Sequence, residues 1–254
     1  MPRILIVESN TPDLVAAGRV AAQPFAATLP HLADDISLQT VSPYAASFDA
    51  AVLKDVDAVV FTGSGVDWCV DDERAQPLAD AMRATFDAGL PVWGSCNGMQ
   101  LAAVVLGGGS GASPNGREDG VAQQIELTGL GRSHPMLAGR CDGYGVLCIH
   151  RDEVTALPDG AELLASNAHS PVQAFAYFKD GVDFWGTQYH PEYAPIHVAG
   201  GLQWMPEAAE MVADLNAAEH NAAAAARLGT SVQELSLPIR SIELRNWLGH
   251  IANP

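Results

Sequence analysis

Four short apolar runs, each closed by turn-prone residues and separated by longer stretches, limit the fold more than any other feature of this chain. They are "RILIVES" (3–9), "ISLQTV" (36–41), "DAVVFTG" (57–63) and "LPVWGS" (90–95). Unbroken apolarity of this kind marks strands covered on both faces. Between them, residues 12–22 and 73–88 read as helices. The second is introduced by Asp71 and Asp72 near its positive end and stopped by Gly89, with Pro91 just beyond. Strand and helix in alternation predict an α/β fold around a mostly parallel sheet.

From about residue 122 the texture changes. "AQQIELT", "GVLCIH", "AELLASN", "VQAFAYF" and "FWGTQYH" follow one another across Gly, Pro, Asn and Asp. These are expected to be extra strands that join the sheet or form a ribbon beside it. Residues 206–228 are alanine-rich and read as a helix, and "PIRSIELRNWLGHIA" places Ile239, Ile242, Leu244, Trp247 and Leu248 on one helical face. The expected organisation is one domain over residues 1–199 with a helical extension, 200–254, packed on it. The extension's role stays open among packing on the sheet, covering a pocket and forming a homodimer surface.

Composition removes several classes of partner. Thirteen basic against thirty acidic residues give a formal charge of −17, and only Lys54 and Lys179 are lysines. A surface that tracks phosphates has little to be built from, so neither nucleic acid nor an anionic membrane is expected. "MPRILIVESN" is too short an apolar run for a secretory signal, and no stretch of 18 apolar residues suggests a span; a cytoplasmic protein is expected. Cys69, Cys96, Cys141 and Cys148 contain no CxxC pair, which fits reduced thiols and no structural zinc. "GGGSGASPNG" (107–116) follows a helix and lacks the G-K-[ST] ending of a phosphate loop, so it reads as a flexible surface loop and no cofactor is expected.

The chemistry concentrates at two places. In "PVWGSCNGMQLAAVVLGGG" (91–109), Cys96 stands where an apolar strand turns into a helix, with Gly94 and Gly98 two residues away on either side. Ligands gather at the carboxyl ends of such strands, and a tight strand-to-helix turn flanked by glycines is the geometry of a nucleophile elbow. A helix N-terminus also favours the thiolate form of a cysteine. On that pattern alone a buried packing thiol explains Cys96 equally well. The second place is "FWGTQYHPEY" (184–193), where His190 and Glu192 are two apart after an apolar strand, so both side chains reach the same face. A thiol nucleophile needs a base and the base needs an orienting group, and the joint occurrence supplies both.

Together "GSCNGMQ" and "QYHPE" resemble the signature pair of class I glutamine amidotransferases. "VVFTGSGVDW" (59–68), "GREDGVAQQIELT" (116–128), "CIHRDEV" (148–154), "LASNAHSPVQAF" (164–175) and "SIELRNWL" (241–248) are similar to its GMP-synthase-like standalone members. The resemblance covers about residues 3–195. It implies a flavodoxin-like three-layer α/β/α sandwich with added antiparallel strands and a helical C-terminal extension. It also implies a triad of Cys96, His190 and Glu192, an oxyanion hole from the Gly63–Ser64 turn and the Asn97 amide, and a role for Gln100 in holding the substrate glutamine. Two positions depart from the family: Asn97 stands where an aromatic residue or leucine is common, and "GSG" replaces the usual Gly-Gly-Pro.

Three functions follow as alternatives. The first is a glutaminase that cleaves the side-chain amide of glutamine through a γ-glutamyl thioester. Its ammonia would go to a synthetase on another chain, because no ATP-binding module is recognisable here. The second is a freestanding γ-glutamyl amide hydrolase that releases a larger amine. The third is a non-catalytic regulatory or binding protein. Elsewhere, His190, Glu192 and His197 match no familiar metal spacing, so no metal is expected. His134 reads as a loop histidine, and Cys69, Cys141 and Cys148 as packing. His150 and Asp152 fit either a site border or an ordinary strand end.

Overall fold

The computed structural model describes residues 2–252. Strands β1 (Arg3–Val7), β2 (Ser37–Val41), β3 (Ala58–Phe61) and β4 (Val92–Ser95) carry the parallel part of the sheet. They are followed by β5 (Gly109–Ala112), β6 (Glu118–Leu127), β7 (Tyr144–His150), β8 (Asp152–Ala156), β9 (Glu162–Ser166), β10 (Ala174–Lys179) and β11 (Val182–Thr187). Nine strands form one sheet in the order β2-β1-β3-β4-β11-β10-β9-β6-β7, and β5 pairs with β8 separately. The opening order 2-1-3-4 is the flavodoxin-like winding. β11 returns to lie parallel beside β4 because a tight turn at Asp180 (φ 54°) and Gly181 (φ 83°) folds β10 back against it.

The helices are α1 (Pro12–Ala16), α2 (Ala22–Thr28), α3 (Gln76–Asp87), α4 (Asn97–Val105), α5 (Pro195–Leu202), α6 (Ala209–Ala217), α7 (Ala222–Arg227), α8 (Val232–Leu235), α9 (Leu237–Arg240) and α10 (Ile242–Ala252). Side-chain alternation along β1 sorts them into layers. Ile4 and Ile6 join Phe25 of α2 and Leu244, Trp247 and Leu248 of α10 in one core, together with Trp93. Leu5 and Val7 join Leu78 and Met82 of α3 and Met99 and Leu101 of α4 in the other. Every residue of β3 and β4 is buried, as expected of strands covered on both faces. A position 199/200 boundary would fall inside α5, and α10 shares its core with the first strand.

Three expectations from the pattern need correction. The helix read over 12–22 ends at Ala16, because Gly18 takes φ 82° just past α1 and turns the chain, and α2 begins only at Ala22. The helix read over 206–228 breaks at residues 218–221, where Asn221 restarts it by accepting bonds from the Ala223 and Ala224 amides. Residues 107–116 are not merely a flexible surface loop, since 109–112 form β5 on β8. Gly108 is seated so closely that an added Cβ would lie 2.4 Å from the Ala156 carbonyl.

Candidate active site

Three adjacent parallel strands deliver the site to one edge of the sheet. In register, Phe61 of β3 faces Gly94 of β4, and Ser95 of β4 faces Thr187 of β11. Just beyond these strand ends come Gly63 and Ser64, Cys96, and, after Gln188 and Tyr189, His190, together at the carboxyl edge where ligands of such sheets bind. An ideal Cβ on Gly63 would lie 2.7 Å from His190 Cε1 and 3.7 Å from Cys96 Cβ, so both side chains meet at that glycine.

Cys96 is held by its backbone. It adopts φ 51°, ψ −106° at the N-cap of α4, a conformation costly for any residue with a Cβ. Its amide bonds Thr187 O (2.7 Å), and its carbonyl starts α4 by accepting from Gln100 N (2.9 Å). The flanking glycines are small rather than left-handed. A Cβ on Gly98 would meet the Phe61 carbonyl oxygen at 2.3 Å, and one on Gly94 would meet the Gly98 carbonyl carbon at 2.7 Å. The elbow forms because strand and helix backbones touch there. The residue is 5% exposed, and its Sγ lies 3.9 Å from Ile149 O.

His190 and Glu192 lie beyond β11, and distant segments fix them. His190 Nδ1 bonds Glu192 Oε1 at 2.7 Å, while Nε2 is buried without a hydrogen-bond partner. Ser95 Oγ donates to the other oxygen, Glu192 Oε2 (3.0 Å), and itself accepts from Trp93 Nε1 (2.9 Å). Thr28 Oγ1 donates to Glu192 O, Ser241 Oγ to Pro191 O, and His190 N to Leu147 O. Tyr193 stacks on the imidazole at 3.9 Å and 6°. Burial alone would lower the His190 pKa, but the Glu192 charge and contact with Cys96 outweigh it and raise the value to about 10. The Glu192 charge thus favours the protonated ring, and Nε2 is left without a partner on the Cys96 side.

The Gly63–Ser64 turn is braced by Asn10, a residue the pattern did not single out. Asn10 Oδ1 accepts from Ser64 Oγ (3.1 Å) and Gly65 N (2.7 Å), and Ser64 Oγ also reaches Ser9 O (2.8 Å). The Asn97 amide opens α4, where helix geometry leaves N–H groups without intrahelical acceptors. Asn97 Oδ1 is buried and unpartnered. Gln100 Nε2 is committed to Asp152 O (2.7 Å) and Gln188 Oε1 (3.2 Å). A cavity of about 690 Å³ opens over these groups and is lined by Cys96, Asn97, Gln100, His150, Asp152 and His190 among others. Its size suits a small organic ligand.

His150 is wired into the cavity wall. Its Nε2 bonds Glu118 Oε2 (2.8 Å), whose oxygens also accept from Gln173 Nε2 (2.7 Å) and Asn167 Nδ2 (2.7 Å). Burial pushes the Glu118 carboxyl up, and these donors more than offset it, holding it below its ordinary value. Glu118, His150 and His169 are close enough to hold a cation, but the carboxylate already has its hydrogen bonds. His197 is taken up by α5, its Nδ1 accepting from Ala194 N (2.9 Å). His134 accepts from Met136 N and packs on Trp185, away from the cavity. Cys148 is buried packing, Cys69 is half-buried beside Arg151, and Cys141 is exposed.

Fold and site together define a doubly wound α/β protein with a ligand cavity at the carboxyl edge of the parallel strands. Residues 36–198 match the glutamine amidotransferase class-I family, and the chain belongs to that family. A γ-glutamyl-L-1-hydroxyisopropylamide hydrolase from Pseudomonas sp. is 34% identical over 220 residues, 78% of this chain and 73% of its own length. The GMP synthase of Leifsonia xyli subsp. xyli is 33% identical over 120 residues, 47% of this chain, and this chain spans only 23% of that enzyme. Among solved structures, a glutamine amidotransferase of Thermotoga maritima superposes with a TM-score of 0.68 at 18% identity, covering 100% of this chain and 99% of that one. Among the described residues no helix is long and apolar enough to cross a membrane.

Proposed function

We propose that this chain hydrolyses γ-glutamyl amides through a thioester on Cys96, acting as a freestanding enzyme. Glutamine is the simplest member of the class. In the first step Cys96 Sγ attacks the amide carbon, the C–N bond breaks, and the His190 proton passes from Nε2 to the departing nitrogen. In the second, water attacks the thioester, gives its proton to His190, and the γ-glutamyl group leaves as glutamate while the Cys96 thiolate is restored. Glu192 holds the imidazole through Nδ1. The Asn97 amide and the Gly63–Ser64 turn stabilise the oxyanion, a contribution worth about 100- to 1,000-fold per donor. Gln100 would offer its carbonyl Oε1 to the glutamyl group.

The observation that carries this reading is the unpartnered His190 Nε2 beside a thiol held at φ 51°, both lining one cavity. Similarity over most of its length to an amide hydrolase favours the freestanding reaction, whereas the match to GMP synthase is partial. Release of glutamate from glutamine and N-substituted γ-glutamyl amides is the direct test. Cys96→Ala should lower it by about 10⁴-fold or more and abolish the acyl-enzyme seen by intact mass. Unchanged turnover in that variant would refute the reading.

A further inference from the structure

The cavity is not uniform, and the direction of the reaction assigns its two walls. His190 protonates the amide nitrogen, so on the proposed function above the amine must leave on the imidazole side and the glutamyl group must lie opposite. The imidazole side runs from His190 through the stacked Tyr193 to His197, 5.4 Å further on, and so into α5. There the cavity is walled by Ile196 and Trp204, which are 56% and 78% exposed. Exposed apolar residues occur elsewhere on the surface, as at Phe178, but these two stand together on the lining of the cavity, where an apolar group of a ligand would cover both. A second part of the lining is a polar wall, with Gln100 bonded to Asp152 O and the Arg151 guanidinium paired with the Asp152 carboxylate. That wall suits a zwitterionic glutamyl end.

Two further groups restrict the amine. Arg19 lies at the rim, where an added Cβ on Gly65 would come within 2.1 Å of its Nη2, and it has no acidic partner among the described residues. A cationic amine would meet that charge. Asn97 Oδ1, immediately after the nucleophile in a residue 7% exposed, lacks a hydrogen-bond donor. An orphaned buried acceptor costs free energy until a ligand supplies an N–H. The scissile amide is the donor closest to the sulfur.

We infer that α5 and Trp204 form an amine subsite, and that the substrates are γ-glutamyl amides of neutral, apolar primary amines. The released amine keeps the nitrogen of the cleaved bond and gains the His190 proton, so no further reactant is needed beyond water.

The test compares kcat/KM of the full chain for glutamine, γ-glutamyl-isobutylamide, γ-glutamyl-benzylamide, γ-glutamyl-putrescine, γ-glutamyl-β-alanine and γ-glutamyl-pyrrolidide. The isobutyl or benzyl amide should exceed glutamine by about tenfold or more, with the cationic, anionic and tertiary amides poorest. Trp204→Ala and Ile196→Ala should each lower the ratio of apolar amide to glutamine by about fivefold to tenfold. An unchanged ratio in both variants would overturn the subsite and point to a protein-docking role for that rim. Preference for a charged amine would overturn it too. Cleavage of glutamine with no such preference removes only the subsite, whereas no thioester from any of the six amides removes the proposed function itself.

Discussion

The Cys96 elbow and the His190–Glu192 turn sit side by side, yet they are built in opposite ways. The elbow is built mainly from adjacent residues: Gly94 of β4 and Gly98 of α4 pack against each other and against the Phe61 carbonyl of β3, with a single bond from the Cys96 amide to Thr187 O of β11. The turn draws on the whole chain. Its contacts come from Thr28, Ser95, Leu147 and Ser241, and Tyr189 just before it reaches Glu243 on α10. A strained backbone can be fixed by its immediate neighbours, while a loop carrying a buried charge has to be satisfied wherever partners exist. The elbow should therefore resist remote substitutions that disturb the turn.

The largest separation is expected from Glu192→Gln, which keeps shape and removes the charge. The rate of amide cleavage should fall by about 10⁴-fold, since the orienting acid of such a triad contributes on that order. The His190 pKa should fall well below about 10, because burial, which favours the neutral ring, is then opposed mainly by Cys96. NMR titration of the imidazole Cε1–H reports this directly. The sign carries into stability. A histidine raised from 6.5 to about 10 stabilises the fold fully below pH 6.5, and that contribution is lost as pH climbs toward 10. Wild-type stability should decline across this window. A Glu192→Gln protein with the same decline would contradict the assignment.

Next in size is the anchor beneath the turn. Glu243 is fully buried, pairs with Arg140 at 2.8 Å, and accepts from Tyr189 Oη at 2.8 Å. The Tyr189 hydroxyl also meets Tyr144 Oη at 3.0 Å. Glu243→Ala strands a buried guanidinium and should cost about 3–5 kcal/mol in urea unfolding. Replacing Arg140 and Glu243 together with Met and Leu should recover much of that loss, which separates a charge effect from a packing one. In the folded single variant, the backbone amide resonances of residues 94–98 should keep their wild-type positions while the His190 ring resonance shifts. A backbone change at the elbow as large as the imidazole shift would erase the distinction between the two regions.

The same distinction explains what could be read before any coordinates. Strands β1, β3 and β4 were legible because each is an unbroken apolar run whose burial needs no knowledge of its neighbours. Gly94, Cys96 and Gly98 were legible because they are adjacent, and His190 and Glu192 because they are two apart. Ser95, Thr28, Asn10 and Ser241 gave no signal, since a serine, threonine or asparagine is ordinary anywhere and acquires its role only through a partner far away in the chain. Gly109–Ala112 became β5 without a single strand-favouring side chain, because β8 supplies the pairing. The Glu118 network stayed hidden for a related reason, with its partners at 150 on β7 and at 167 and 173 in the β9–β10 connection. Asp180–Gly181, by contrast, was a readable hairpin signal that the strand pattern left unused.

The smallest effect sharpens the comparison most, because it touches the turn through one bond. Ser241 is fully buried, and its Oγ donates to Pro191 O at 2.8 Å, the carbonyl between His190 and Glu192. Ser241→Ala removes the donor and leaves that acceptor unsatisfied, which should lower stability by about 1 kcal/mol. Proline supplies no amide proton, so this carbonyl is the one polar backbone group Pro191 has to satisfy. Loss of the bond should let the turn sample positions in which His190 and Cys96 are less well aligned. Turnover should then drop severalfold at constant KM, and Ser241→Thr should restore part of it by returning a hydroxyl. Equal loss in both variants would mean that the site needs only the volume of Ser241 and not its proton.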